Sequence, residues 1–177
     1  MSCASVATIG EIMQLAFVPA DFDAALQHWI GLGAGPFFAL DHVQLEDVTY
    51  LGKAADIDFS MVIGYWGGLQ IELIRQHNDA PSIYKAWRDE GREGLHHVCV
   101  LTDDIDAARA AVAAAGGHVL QAGKVPGGGA VFYADTGGGP GSMLEVLQPA
   151  PGGREFFAMM RDAHRHWDGA DPVRRLG

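Results

Sequence analysis

An internal duplication limits the fold of this chain more than any other feature of its sequence. The stretch QLAFVPADFDAAL (14–26) aligns with HVCVLTDDIDAAR (97–109), because each reads as an apolar strand, a polar turn and the start of a helix. A second pair, QIELIRQ (70–76) and MLEVLQP (143–149), supplies a matching apolar strand at the end of each copy. Two units this small need each other for stability, so we expect one continuous sheet with a shared cleft.

The helix starts and the spacing between strands support the duplication. Asp21 and Asp104 precede Ala-rich runs at equivalent places and are predicted helix N-caps. Further strand candidates follow each helix, so the repeated order is strand, helix, then two or three strands. The first copy has about ten more residues between its outer strands, and residues 40–58 can hold them.

These patterns divide the chain into four parts. We assign the first module to residues 9–77, a linker or helix to 78–92, the second module to 93–150, and a C-terminal amphipathic helix and tail to 151–177.

Composition narrows the class of protein. The formal net charge of the 177 residues is −10, which argues against nucleic acid and anionic membranes as partners. The chain has no apolar run long enough to span a bilayer, and its first residues lack the features of a signal peptide. With only Cys3 and Cys99, a disulfide framework is excluded and a cytoplasmic location is expected.

Four polar residues occupy positions that the duplication relates. Gln14 and His97 lie on the first strands, and Glu72 and Glu145 lie on the last strands, each alone among apolar neighbours. A buried carboxylate is costly unless it is neutralised, and no Lys or Arg stands at an equivalent position. One imidazole nitrogen and three oxygens would suit a divalent Zn, Ni, Co, Mn or Fe ion with one or two open positions.

Strand alternation distinguishes the two adjacent histidines. His97 falls on the same face as Gln14, whereas His96 falls with the valines or just before the strand, as support. Taken singly, a strand glutamate is more often solvent-exposed and a strand histidine more often a hydrogen-bonded core residue. The equivalence of all four positions in the duplication favours a shared metal site.

At these residues the chain resembles the vicinal oxygen chelate superfamily, which includes glyoxalase I, methylmalonyl-CoA epimerase, extradiol dioxygenases and bleomycin-resistance proteins. The resemblance covers about residues 9–150 and is carried by GLHHVCV with its Asp-rich turn and by the closing strand MLEVLQP. It implies an α+β fold of paired βαβββ modules that form a half-open, barrel-like curved sheet with helices outside. It also implies metal ligands on the first and last strand of each module, and a homodimer.

The departures from the family pattern bear on the substrate. The Gln/Glu/His/Glu set resembles the zinc ligands of eukaryotic-type glyoxalase I, whereas extradiol dioxygenases need two histidines and a carboxylate. Glutathione-using members carry an arginine four residues after the first ligand, where this chain has Val18, and Glu93 stands where a second might be expected. A coenzyme A thioester would need a basic patch, for which the nearest candidates are Lys53, Lys85, Arg88 and Arg92.

The resemblance and the ligand set together predict a glyoxalase-type lyase, isomerase or epimerase. Such an enzyme transfers a proton next to a carbonyl and stabilises the resulting enediolate or enolate. Glu145 is expected as the first base, with Glu72 on the opposite side of a substrate that has adjacent oxygens or a thioester. A non-catalytic binding or resistance protein is the alternative, and an extradiol-type dioxygenase is disfavoured.

Aromatic residues near the predicted strands are candidates for the walls of the cleft. They are Phe17, Phe37, Phe38, Tyr50, Tyr65, Trp66 and Phe132. The segment 152–169 has apolar residues at helical spacing and is expected to cover the sheet or a dimer interface.

Overall fold

The computed structural model describes residues 5–175, so Cys3 lies outside the described residues. The strands are β1 (Ile12–Phe17), β2 (Phe37–Leu40), β3 (Glu46–Tyr50), β4 (Lys53–Ala54), β5 (Phe59–Trp66), β6 (Leu69–Gln76), β7 (Leu95–Leu101), β8 (His118–Val125), β9 (Gly129–Asp135), β10 (Met143–Gln148) and β11 (Val173–Arg175). The helices are a 3-10 turn at Val6–Thr8, then α1 (Phe22–Gly31), α2 (Ile83–Asp89), α3 (Ile105–Ala114) and α4 (Gly153–Arg165).

The strands form one curved, unclosed sheet in the order β11-β2-β5-β6-β1-β7-β10-β9-β8-β3-β4. Its centre is symmetric, because β2-β5-β6-β1 of the first copy mirrors β8-β9-β10-β7 of the second. The two halves meet where β1 and β7 pair antiparallel, with Leu15 opposite Val98 and Ala16 opposite His97. The predicted fold class, an α+β chain of paired modules in a half-open curved sheet, is confirmed.

Identical caps begin the equivalent helices of the two copies. The Asp21 carboxylate accepts a hydrogen bond from the Ala24 amide at 2.9 Å, and the Asp104 carboxylate accepts one from the Ala107 amide at 2.9 Å. A cap of this kind contributes about 1 kcal/mol to helix stability. The aspartates singled out in the sequence therefore fix where each helix leaves its strand.

The sheet has two faces with different roles. On the outer face, Leu26 of α1 packs with Val62 and Leu73, while α3 packs on the corresponding strands of the second copy. On the inner face, Met160 of α4 packs against Ile63, which is the cross-strand neighbour of Glu72. Helices α1 and α3 thus lie outside as expected, but α2 and α4 pack on the inner face, which also carries the four polar residues.

The extra residues of the first copy form the β3–β4 hairpin at the far end of the sheet. β3 pairs with β8 of the second copy, with Thr49 opposite Ala122 and Tyr50 opposite Gln121. The insertion in one module therefore covers the edge strand of the other. Within residues 5–175, no helix is long and apolar enough to cross a membrane.

Candidate metal centre

Three of the four predicted ligands meet on the inner face at the centre of the sheet. Glu72 comes from β6, His97 from β7 and Glu145 from β10, and their exposed fractions are 5%, 0% and 6%. His97 Nε2 lies 2.9 Å from Glu145 Oε2 and 3.6 Å from Glu72 Oε2. One donor atom from each residue lies within 4.8 Å of the other two, a spacing at which they could hold a metal ion.

Gln14, the fourth predicted ligand, lies on β1 between these strands. Its side-chain amide donates to Gln70 Oε1 at 2.6 Å, and Gln70 in turn donates to the Tyr65 hydroxyl at 3.3 Å. The other atom of the same amide, Gln14 Oε1, is buried and has no hydrogen-bond partner. An unpaired buried carbonyl oxygen is costly, and a cation would satisfy it.

The charge balance of the cluster also suits a cation. Within the described residues, the only basic group paired with Glu72 or Glu145 is the His97 imidazole. One imidazole cannot neutralise two buried carboxylates. The orphaned Gln14 oxygen and this excess of negative charge show that the donor set fits a divalent metal.

The neighbouring histidine holds His97 in one orientation. His96 Nε2 lies 3.3 Å from the Ile83 carbonyl oxygen, and His96 Nδ1 lies 2.8 Å from His97 Nδ1. Because a carbonyl only accepts, His96 carries its proton on Nε2, so its Nδ1 accepts from the N–H of His97 Nδ1. This leaves His97 Nε2 directed at the two carboxylates, the arrangement a metal-ligating histidine requires.

Strict strand alternation is wrong for His96, which is fully buried beside α2 rather than grouped with the valines. The cause is a register shift in the β1–β7 ladder. Ala16 pairs with His97 while Phe17 pairs with Leu95, so His96 is the extra residue of a β-bulge. A bulge interrupts the alternation of side chains, and two consecutive histidines can therefore serve one site.

Burial and charge set the protonation of the pair. Burial acts to lower the pKa of His97, but the Glu145 and Glu72 carboxylates outweigh it and raise the pKa to about 9. Burial and the charge of His97 lower the pKa of His96 to about 3. Burial raises the pKa of Glu72. Without a metal, His97 is therefore cationic and His96 neutral at neutral pH.

Tyr133 is a site residue that the sequence did not reveal. Its hydroxyl donates to Glu145 Oε1 at 3.3 Å and accepts from the Tyr84 hydroxyl at 3.2 Å. The reason is register, because Glu145 on β10 is the direct partner of Tyr133 on β9. Cys99 also lies near the cluster, but burial raises the pKa of its thiol well above the usual value, so it remains protonated.

A cavity of about 230 Å³ adjoins the cluster and is lined by Gln14, Glu72 and Glu145. None of the seven aromatic residues expected as its walls lines it. Phe17, for example, packs on the outer face with α1. The aromatic lining instead consists of Phe59, Tyr84, Tyr133, Phe156 and Phe157. Strand register and the position of α4 decide this difference, and neither is readable from residue type.

A second group of possible ligands, His42, Asp58 and His77, lies at the protein surface. Its members already hydrogen-bond, with His42 Nδ1 at 2.6 Å from Asp58 Oδ1 and His77 Nε2 at 2.7 Å from Ser60 Oγ. Both histidines are exposed, so water meets their remaining hydrogen-bonding needs. This surface group has no buried polar atom that lacks a hydrogen-bond partner. We therefore place the candidate centre at the buried cluster of Glu72, His97 and Glu145.

Replacement of His96 by phenylalanine is expected to weaken zinc binding by about 10- to 100-fold, the usual effect of losing a group that orients a metal ligand. The ring volume is kept, but His97 Nδ1 loses its acceptor and the imidazole can take other orientations. Competition with a zinc chelator measures the affinity. His118→Phe, at the exposed first residue of β8, is the control, and equal affinities for the two variants would contradict the role of His96.

Comparison with known proteins agrees with the fold. Residues 13–134 match the model of the Glyoxalase/Bleomycin resistance protein/Dioxygenase superfamily. The chain belongs to this superfamily. No curated protein sequence matches the chain.

Solved structures show the same fold at low sequence identity. A hypothetical protein from Bacillus halodurans C-125 has a TM-score of 0.56 and 16% identity over 79% of this chain and 94% of its own. Methylmalonyl-CoA epimerase from Mycobacterium tuberculosis has a TM-score of 0.54 and 19% identity over 89% and 97%. The Streptomyces coelicolor epimerase in complex with 2-nitronate-propionyl-CoA has a TM-score of 0.51 and 18% identity over 80% and 96%.

Proposed function

We propose that this superfamily member is a metal-dependent enzyme that transfers a proton on a carbon next to a carbonyl group. The observation that carries the proposal is the buried set Gln14, Glu72, His97 and Glu145. Two carboxylates share one imidazole there, an amide oxygen lacks a partner, and three of the four residues line a cavity. Perturbed titratable groups beside a cavity are typical of active sites.

Gln14 Oε1, Glu72, His97 Nε2 and Glu145 would hold the metal, a divalent Zn, Ni, Co, Mn or Fe ion. A bound divalent ion would polarise substrate oxygen atoms and so make the adjacent carbon more acidic.

The remaining chemistry belongs to the side chains. Glu145 is the proposed base, because its Oε2 faces the cluster while the Tyr133 hydroxyl fixes its Oε1. Glu72 comes from the other module and lies on the opposite side of His97, so it can donate or accept a proton from the second side of a substrate. Return of the proton to the neighbouring carbon is isomerisation, and return to the same carbon from the other side is epimerisation.

The alternatives account less well for the cluster. A binding or resistance protein on the same scaffold would not require an unsatisfied buried amide oxygen beside two carboxylates. An extradiol dioxygenase needs a second histidine ligand, and His96 is committed to His97 and the Ile83 carbonyl. We further propose a cytoplasmic homodimer that acts on a small molecule.

Proton exchange with deuterated water tests the proposal. We expect zinc-loaded protein to catalyse deuterium incorporation at C1 of 1-hydroxyhexan-2-one, which carries adjacent oxygens, and metal-free protein to leave the ketone unlabelled. Nuclear magnetic resonance measures the exchange, and metal analysis gives the stoichiometry. A protein that binds none of the five metals at the cluster would refute the proposal.

A further inference from the structure

The cavity beside the metal centre has a lining that restricts what can enter it. Apart from the polar residues at the centre, it is lined almost entirely by apolar side chains contributed by β2, β5, β9, β10 and α4, among them Leu40, Met61, Ile63, Val131 and Leu147. In the described part of the chain, no Lys, Arg or His side chain is among the lining residues. An anionic group placed there would be unpaired and would face Glu72 and Glu145.

Helix α4 closes one side of this cavity. Phe156 and Phe157 contribute to the wall, and Met160 anchors the helix on Phe38, Ile63 and Tyr65. The basic residues of α4 point elsewhere. Arg154 and Arg161 line a neighbouring hollow that shares only Met13 and Phe157 with the cavity, and Arg154 pairs with Asp103 at 2.6 Å.

The size of the cavity limits the ligand further. At about 230 Å³ the cavity is smaller than the ~300–1,000 Å³ of pockets that bury a drug-sized ligand. It therefore suits a short apolar chain next to the metal centre.

We infer that the substrate is a small molecule with an adjacent oxygen pair at one end and a short, uncharged apolar group at the other. This inference rests on the proposed function for the position of the oxygen pair. The anionic groups of glutathione and coenzyme A would find no basic partner among the described residues that line the cavity. Two of the four candidate cations for a coenzyme A patch already form ion pairs at the surface, Lys85 with Asp89 and Arg92 with Glu90.

A homologous series of n-alkyl hydroxamic acids, which present adjacent oxygens, tests the inference on zinc-loaded protein. We expect affinity to rise about fourfold per methylene from acetohydroxamate to pentanohydroxamate, and then to level off. A chain of similar length that ends in a carboxylate, glutaric monohydroxamate, is expected to bind at least tenfold more weakly than pentanohydroxamate. Equal or tighter binding of the carboxylate probe would overturn the inference.

Metal-free protein separates this inference from the proposed function. A series of 1-alkanols has no chelating oxygen pair, so its dependence on chain length reports the apolar cavity alone. If the affinity for 1-alkanols does not rise with chain length, the inferred substrate class is wrong. The other outcome is that alkanol affinity rises with chain length but zinc does not increase the affinity for hydroxamates. That result would refute the proposed function and would still support the preference for an apolar group.

A substitution that fills the cavity tests whether the alkyl chain of the hydroxamate binds inside it. Met61→Trp is expected to weaken pentanohydroxamate at least tenfold while acetohydroxamate is little changed. Met159→Trp on the exposed side of α4 is the matched control and should not alter either affinity. Identical chain-length profiles for the native protein and a folded Met61→Trp variant would place the chain outside the cavity and overturn the inference.

Discussion

Substitution of Glu145 by glutamine is expected to lower the rate of C1 proton exchange by about 10²- to 10⁴-fold, the usual contribution of a general base. The amide keeps the shape of the side chain. Its oxygen can accept from His97 in the metal-free protein or bind the metal in the loaded protein, while its nitrogen donates to the Tyr133 hydroxyl. The fold should therefore survive, but the group can no longer take a proton. Deuterium incorporation into 1-hydroxyhexan-2-one by zinc-loaded protein measures the effect.

Two further variants test whether the loss of proton exchange is specific to Glu145. Glu155→Gln changes an exposed glutamate on α4 and should exchange protons at the native rate. Glu72→Gln removes the carboxylate of the other module, and we expect it to lose less activity than Glu145→Gln. A greater loss in Glu72→Gln would reverse the assignment of the first base.

Zinc affinity is expected to fall about tenfold for each pH unit below 9, or about 100-fold between pH 9 and pH 7. His97 must give up a proton before its Nε2 can bind a metal, and the two carboxylates hold the pKa of His97 at about 9 in the metal-free protein. Above pH 9 the proton is already gone and the affinity should level off. Calorimetric titration at several pH values, in buffers of different ionisation enthalpy, measures both the affinity and the protons released.

The same pKa fixes the sign of a stability change in the metal-free protein. The folded-state pKa of His97 lies above its ordinary value of 6.5, so the contribution of this proton to stability is fully present below about pH 6.5. It is lost as the pH rises through 9. His96, with a pKa of about 3, stays neutral across this window. A zinc affinity that does not change between pH 7 and pH 9 would show that zinc displaces no proton from His97 in this range.

The duplication in the sequence was enough to predict which polar residues lie on one face of the sheet. It related Gln14 to His97 and Glu72 to Glu145, and the structure places all four on one face of a sheet whose halves meet at β1 and β7. The physical reason is that a repeated unit repeats its strand pairing, and the alternation of side chains then puts equivalent residues on the same face. The assignment of these residues as ligands stays a prediction.

Tertiary structure alone decided how those residues are supported and what adjoins them. The bulge that buries His96 depends on the register of β1 against β7, and the contact of Tyr133 with Glu145 depends on the register of β9 against β10. The cavity walls depend on where α4 returns to the sheet. Each is a contact between residues distant in sequence, so local patterns of residue type carry no signal for it. The sequence by itself determined which polar groups share one face of the sheet, and long-range packing determined their orientation and the cavity beside them.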